Sequence, residues 1–483
     1  MTPPTLKNYV AGEWLTPQVG EYVGIINPAT GETLAQAPVS GDQEVAEAVQ
    51  AAAEAFPGWR DTTPYARAQF MFRLKAVMEA RSEDLARTVV REHGKIIEEA
   101  RGEVRRAIEN VEVAAGVPTL MMGYNMEDVS IGIDEDCLHQ PLGVFACVAP
   151  FNFPAMVPMW FLPYAVTCGN TYVLKPSDRC PMTQTLLFEL LEDVGLPPGV
   201  LNLVHGGKAA VDALLAHPDV QGISFVGSTP VAKYLYAQGA AHGKRMQCQA
   251  GAKNALVVMP DADLAKTVPN VISSAFGSSG QRCLAGSLVI AVGDAYEPLV
   301  ERLVPAAAAL KVGDGLDESV DMGPVISREA VERVHRYIDG ALAEGARLLL
   351  DGRGVQVAGR PDGYYVGPTI LTDVRPEMAV AREEVFGPLL AILRAADLDE
   401  ALAIIDGSPY GNAASIFTTS GAAARTFRHR VRAGNVGVNI GVAAPIASFP
   451  FSGMKQSFFG DLHGQGRDAI RFFTERKVVI TRW

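Results

Sequence analysis

Cys283 closes the stretch Phe276-Gly277-Ser278-Ser279-Gly280-Gln281-Arg282-Cys283, directly behind a turn of small residues. Cysteine reacts as its thiolate, and a neighbouring cation raises the thiolate fraction by lowering the thiol pKa. Arg282 places such a cation next to the sulfur in sequence. The glycines let the backbone approach a ligand more closely than bulky residues permit. For a cysteine taken at random the favoured reading is a small, buried, inert side chain. The flanks here turn the balance toward a nucleophile. Arg105 and Arg106 form another basic pair. They fall on a helical pattern, where a solvated face is the default.

The nucleophile loop follows a helical pattern over 264–275. Upstream, residues 9–39 read as short strands and turns, broken at Asn27-Pro28 and Thr30-Gly31. Val45, Ala48, Val49, Ala52, Ala53 and Phe56 form one apolar helical face, which Pro57-Gly58 should end. Helical patterns continue over 65–80, 82–93 and 98–116. Over 126–140, Val129, Ile131 and Ile133 alternate with Ser130, Gly132 and Asp134, the pattern of a half-exposed strand. Residues 477–480 make a second lone strand. The two can form one small projecting sheet, whose open edges another subunit would cover.

From 142 to 239 strands and helices alternate. Strands are expected at 142–149, 171–174, 200–204 and 222–226, and helices at 153–168, 182–194, 209–216 and 231–239. This rhythm implies a parallel sheet covered on both faces. Such sheets bind dinucleotides at the carboxyl ends of their strands. No Gly-x-Gly-x-x-Gly stands at these strand ends, and no P-loop occurs. The strand ending at Val226 runs into Gly227-Ser228-Thr229-Pro230. Ser228 or Thr229 can cap the next helix, and Pro230 suits its first turn. A phosphate can sit on such a terminus, though most capped helices bind nothing. A second α/β region spans about 254–439, with strands at 255–259, 287–292, 389–393 and 415–418 and helices at 295–310, 328–344 and 398–405. No long polar linker or repeat separates the parts, so a cleft between tightly packed domains is the default ligand site.

At 483 residues the chain exceeds one compact core, and two or three domains are expected. Net charge is −12 with no run of like charges, which argues against nucleic acid or an anionic membrane surface as partner. The apolar stretch at 153–168 is broken by Pro154, Pro158 and Pro163, too short and interrupted for a bilayer span. Residues 1–10 lack the apolar run of a secretory signal. Six cysteines at 137, 147, 168, 180, 248 and 283 show no Cys-x-x-Cys pair and no histidine at metal spacing. A reduced, cytoplasmic protein without a metal site is the expectation.

Five stretches, taken in order, resemble the aldehyde dehydrogenase superfamily over essentially the whole chain. They are Pro150-Phe-Asn-Phe-Pro154, Leu174-Lys-Pro-Ser-Asp178, Phe225-Val-Gly-Ser228, Gly280-Gln-Arg-Cys283 and Glu384-Val-Phe-Gly-Pro388. The resemblance implies an α/β fold with a Rossmann-like NAD-binding domain (1–121, 141–249 and 441–465) and an α/β catalytic domain (250–440). It also implies a small β oligomerisation sheet (122–140 and 466–483) that builds homodimers or homotetramers. It implies that Cys283 attacks an aldehyde carbon to give a thiohemiacetal. Asn152 and the Cys283 N–H would hold the oxyanion. Hydride would pass to the nicotinamide, leaving a thioacyl enzyme. By the same resemblance Lys175 bonds the adenosine ribose, with Ser177 and Arg179 beside it. Asp178 stands where many relatives carry Glu, and a carboxylate there favours NAD over NADP. Ser228 would meet the pyrophosphate, Glu384 the nicotinamide ribose, and Phe386 would lie against it. Ala149 and Phe151 would line the same groove.

One departure changes the expected product. Most relatives carry Glu at the place of Gln249, where it activates the water that hydrolyses the thioester. A neutral amide takes no proton near neutral pH. The CoA-acylating methylmalonate-semialdehyde dehydrogenases also lack this Glu and typically have Asn. The chain resembles them further in Gly251-Ala-Lys-Asn254, Val258-Met-Pro-Asp261, His242-Gly-Lys-Arg245, Phe449-Pro-Phe-Ser-Gly453 and Ser457-Phe-Phe-Gly-Asp461. That family binds a substrate carboxylate with two arginines, which match Arg106 and Arg282. Methylmalonate or malonate semialdehyde would then give propionyl-CoA or acetyl-CoA with loss of CO2, with coenzyme A as co-substrate. Gln249 in place of Asn, and Gly441-Val-Ala-Ala444 where that family is Pro-rich, depart from its pattern. The other readings are a hydrolytic NAD(P)-dependent aldehyde dehydrogenase giving a free acid, and a non-catalytic binding or structural relative.

Overall fold

The computed structural model describes residues 3–483. Two large sheets carry the molecule, and both are mainly parallel. At the centre of the first lie five parallel strands. Their spatial order is Leu201–Leu203, Thr171–Lys175, Val144–Val148, Val220–Val226 and Arg245–Gln249. In chain order of those strands this is 3-2-1-4-5. The chain lays two strands on one side of Val144–Val148 and then returns to its other side. A crevice therefore opens at the carboxyl ends of Val144–Val148 and Val220–Val226, where the direction of travel reverses. Every residue of Val144–Val148 and Thr171–Lys175 is buried, which explains their nearly continuous apolar sequence.

The second sheet runs Arg347–Leu350, Thr369–Thr372, Leu389–Ala395, Leu288–Val292, Ala255–Val258, Ala413–Phe417, Asn435–Val438. Only its first pair is antiparallel. Residues 250–254 carry the chain from one sheet to the other. The loop before Leu288–Val292 is the one that holds Cys283. A third sheet is antiparallel and has three strands, Tyr124–Ser130, Ile133–Pro141 and Thr474–Arg482.

Three local expectations need correction. The single strand expected over 126–140 belongs to a hairpin. The apolar alternation runs straight across the turn and hides it. Gly132, at φ +69°, donates its N–H to Asp128 Oδ1 at 3.0 Å there. The helix expected to end at Pro57-Gly58 runs on as Asp42–Asp61. Proline forfeits an N–H bond, but the last turn is anchored from outside: buried Trp59 donates its indole N–H to the Val166 carbonyl at 2.9 Å. The helix expected over 153–168 is two short ones, Met156–Met159 and Leu162–Cys168, because Pro154, Pro158 and Pro163 interrupt the ladder. Arg245–Gln249, not foreseen as a strand, alternates polar and apolar residues inside a buried sheet. Its Gln247 donates from Nε2 to Ser224 Oγ at 2.8 Å, while its Oε1 is buried without a partner. Among the described residues no helix is long and apolar enough to cross a membrane, and no cluster of His, Cys, Asp or Glu could hold a metal ion.

Candidate active site

The helix Leu264–Phe276 ends at Gly277, and the chain then turns through left-handed backbone. Ser278 and Ser279 have φ of +49° and +53°, and Gly280 has +71°. Such conformations cost about 1–3 kcal/mol each in non-glycine residues and persist where the surroundings impose them. Here the Ser278 N–H donates to Glu99 Oε1 at 2.8 Å, and Ser279 Oγ donates to the Gly323 carbonyl at 2.7 Å. A Cβ on Gly280 would lie 2.1 Å from the Gly387 carbonyl oxygen, so the loop closes directly on the Glu384–Pro388 segment. A Cβ on Gly277 would meet the Arg282 guanidinium at 1.9 Å. The Cys283 carbonyl accepts from Asn254 Nδ2 and from Asn412 Nδ2, both at 2.8 Å. The N–H groups of Cys283 and Leu284 face its sulfur.

Arg282 lowers the Cys283 thiol, the direction its place in the sequence suggests, but other influences outweigh it. Its guanidinium also pairs with Glu99. Burial pushes the Cys283 thiol up to about 12, the Glu384 charge adds to this, and Arg282 offsets little.

Cys283, Arg106 and Arg282 meet on one cavity of about 300 Å³, walled by Phe153, Trp160 and Phe451. The helix Ile97–Ala115 contributes Glu99, Glu103, Arg106 and Asn110 at helical spacing along one side. Arg106 Nη1 pairs with Glu109 Oε2 at 3.1 Å. Its neighbour Arg105 faces elsewhere and pairs with Glu112 at 2.9 Å, so the solvated-face reading holds for Arg105 and fails for Arg106.

Asn152 is buried, and one N–H of its amide donates to the Gln281 carbonyl at 3.0 Å. Its own carbonyl accepts from Lys95 Nζ at 2.7 Å. Lys95 also pairs with Glu103 at 2.6 Å, and neither side chain is exposed. Gln249 ends its strand with Nε2 donating to the Phe451 carbonyl at 2.7 Å. Its Oε1 is buried without a partner. Gln249 does not itself line the cavity, but it is bonded to Phe451, which does.

The remaining predicted residues lie along the crevice of the first sheet. Ala149 follows Val144–Val148, and its N–H bonds the Lys175 carbonyl at 3.0 Å. Lys175 Nζ pairs with Asp178 Oδ1 at 2.8 Å. Ser177 and Asp178 line a cavity of about 230 Å³ with His205 and Gly206, whereas Arg179 points away to Glu329 at 3.7 Å. Ser228 is the N-cap of Thr229–Ala241 and spends no side-chain bond on it. Glu384 is half-buried, and its Oε1 accepts the Ala252 N–H at 2.9 Å. Burial pushes its carboxyl up to about 7, against the lowering effect of that N–H, Lys253 and Arg333. Phe386, at φ +55°, sits edge-on to Phe151 with ring centroids 5.8 Å apart. A dinucleotide fits this donor set. The helix terminus with an unspent Ser228 suits a pyrophosphate, and the cavity beside Asp178 suits a ribose hydroxyl pair.

The profile of the aldehyde dehydrogenase family matches residues 14–479. This chain belongs to the aldehyde dehydrogenase family. It is 50% identical over 479 residues to malonate-semialdehyde dehydrogenase 2 of Geobacillus kaustophilus (strain HTA426), with 99% of each chain covered. It is 46% identical to the solved methylmalonate-semialdehyde dehydrogenase of Oceanimonas doudoroffii, with a TM-score of 0.98 over 99% of this chain and 98% of that one. A Sinorhizobium meliloti 1021 protein solved in complex with NAD is 40% identical, with a TM-score of 0.98 over 100% and 98%. For this aldehyde dehydrogenase, sequence reasoning missed Lys95, Glu99, Glu103 and Asn412. Glu99 and Glu103 carried a signal, since they share the helix side of Arg106. Lys95 and Asn412 carried none, because each acts on main chain brought near by tertiary folding.

Proposed function

We propose that this enzyme oxidises malonate or methylmalonate semialdehyde to acetyl-CoA or propionyl-CoA, with NAD and coenzyme A and with loss of CO2. The observation that carries the reading is the pair Arg106 and Arg282 on the Cys283 cavity, at a site where Gln249 stands in place of a water-activating carboxylate. The names of the relatives agree with it. Guanidinium groups suit a carboxylate through paired charge-assisted bonds. Cys283 sulfur forms a bond to the aldehyde carbon, and the carbonyl electron pair moves onto oxygen. The second N–H of Asn152 and the Cys283 N–H stabilise that oxyanion. NAD, when bound, supplies the hydride acceptor. The oxyanion then collapses to a thioester on Cys283. With a carboxylate β to that thioester, the C–C bond breaks, CO2 departs, and its electron pair passes to the thioester as an enolate that takes a proton from solvent. The CoA thiolate attacks the thioester carbon and releases Cys283. Lys175, Ser177, Asp178, Ser228, Glu384, Phe386, Ala149 and Phe151 are assigned to the cofactor groove, with Asp178 disfavouring a 2′-phosphate; Arg179, turned to Glu329, is left out of it. The three-stranded sheet exposes Tyr124, Met126, Ile131, Val478, Ile480 and Trp483. That apolar surface supports assembly into a homodimer or homotetramer.

Malonate semialdehyde, NAD and CoA should give acetyl-CoA in step with NADH. Free acid, formed at the same rate whether or not CoA is present, would replace this reading with the hydrolytic one. Arg106→Leu should raise KM for the carboxylated semialdehyde about tenfold to a hundredfold, the scale of a charged hydrogen bond. KM for propionaldehyde should hardly move. An equal effect on both aldehydes would remove Arg106 from the carboxylate clamp.

A further inference from the structure

The segment Pro150-Phe-Asn-Phe-Pro154 is short and irregular, with neither strand nor helix to hold Asn152 in place. The buried pair Lys95–Glu103 grips it from both sides. Lys95 Nζ donates to the Asn152 carbonyl at 2.7 Å. Glu103 uses one oxygen for Lys95 and the other for the N–H groups of Ala155 and Met156, at 2.8 and 3.2 Å. The ion pair thus bridges the peptide of Asn152 and the first turn of the helix that follows. Lys95 Nζ also lies 4.1 Å from the centroid of the Phe153 ring.

Lys95 is itself fixed relative to the nucleophile loop. A Cβ on Gly315 would lie 2.2 Å from the Lys95 carbonyl, and one on Gly323 would lie 1.9 Å from the Gly94 carbonyl. Gly323 in turn accepts the bond from Ser279 Oγ. Lys95 therefore reaches the segment that carries Asn152 through its side chain, and the backbone beside it reaches the loop that carries Cys283 through Gly323. A buried ion pair is weak as a source of net stability, because desolvation offsets its attraction. Its geometric value is greater: a misplacement of about 1 Å in a catalytic group can cost about 10²-fold in rate.

We infer that Lys95, held by Glu103, is a positioning residue that sets where Asn152 presents its amide to the oxyanion on Cys283. The inference rests on the reading of Asn152 as oxyanion donor. It is tested by a double-mutant cycle on the full-length enzyme, with NAD binding and melting temperature recorded for each variant. Asn152→Ala alone should lower kcat by about 10²–10³-fold, the usual loss for one oxyanion donor. Lys95→Met alone should lower kcat at least about tenfold, equally for malonate semialdehyde and propionaldehyde, with KM little changed. In the Asn152→Ala background, Lys95→Met should cost less than about twofold, because the group it positions is gone. Equal losses in both backgrounds, or a loss confined to KM, would overturn the role of Lys95 while leaving Asn152 in its own. A loss under about tenfold for Asn152→Ala would overturn both. If Lys95→Met does not fold, Glu103→Gln gives the same comparison, since it keeps an acceptor but removes the charge that orients Lys95.

Discussion

Cys283→Ala should reduce NADH formation to background while NAD binding persists. Loss of a covalent nucleophile costs on the order of 10⁶-fold in a well-studied hydrolase, because no later step can begin. The other cysteines offer no substitute. Cys137, Cys147, Cys168, Cys180 and Cys248 are buried, and only Cys283 lies on the cavity that holds both arginines. Burial holds the thiols of Cys147, Cys168 and Cys248 up to about 12. Cys283 has a similarly raised thiol but also a cavity, main-chain N–H groups around its sulfur and an amide donor on an adjoining loop. Its advantage is access and aim, not acidity. Measurement of NADH at saturating aldehyde, with cofactor binding by fluorescence, decides the matter. Surviving activity that Cys248→Ala then removes would move the nucleophile to the strand Arg245–Gln249.

Without CoA, the unmutated enzyme should release about one equivalent of NADH per active site in a burst and then nearly stop. Gln249 cannot take a proton from water, and its Nε2 is committed to the Phe451 carbonyl. The thioester on Cys283 therefore waits for a better nucleophile. Added CoA should restore steady turnover with ping-pong kinetics, since a thiolate attacks a thioester at neutral pH with less help than water needs. Gln249→Glu should speed acid formation in the absence of CoA. The gain should be modest, because position 249 is not among the residues that line the cavity. Rapid, CoA-independent acid release by the unmutated enzyme would show that another base serves the site and would end the acylating reading.

Much of this was legible in the residues. The alternation of apolar runs after 142 gave the parallel sheet, because strands buried on both faces cannot alternate in polarity. Cys283, Asn152 and Arg106 emerged only when distant stretches were read together, since each alone has a bland explanation. Arg105 and Arg106 show the limit. They are adjacent and identical in kind, and only the angle of the helix sends one to the cavity and the other to solvent. Arg282 shows a different limit. Its lowering effect on the Cys283 thiol is outweighed by burial and by Glu384, which lies far away in sequence. Lys95 and Asn412 were out of reach, because each reaches a main-chain carbonyl, of Asn152 or Cys283, that only folding brings near and that no side-chain pattern records.

The contact between Gly280 and the Gly387 carbonyl bears on how such an enzyme can change over generations. Every single-base substitution that alters a glycine codon installs either a side chain with a Cβ or a stop. At Gly280 any Cβ must push apart the loop that carries the nucleophile and the segment that begins with Glu384. Nucleophile and cofactor groove would shift together, and no neighbouring codon offers a milder step. Drift toward new aldehydes must therefore enter through the cavity wall, at positions such as Val442 and Ala444, where side chains can be exchanged one at a time while this joint stays as it is.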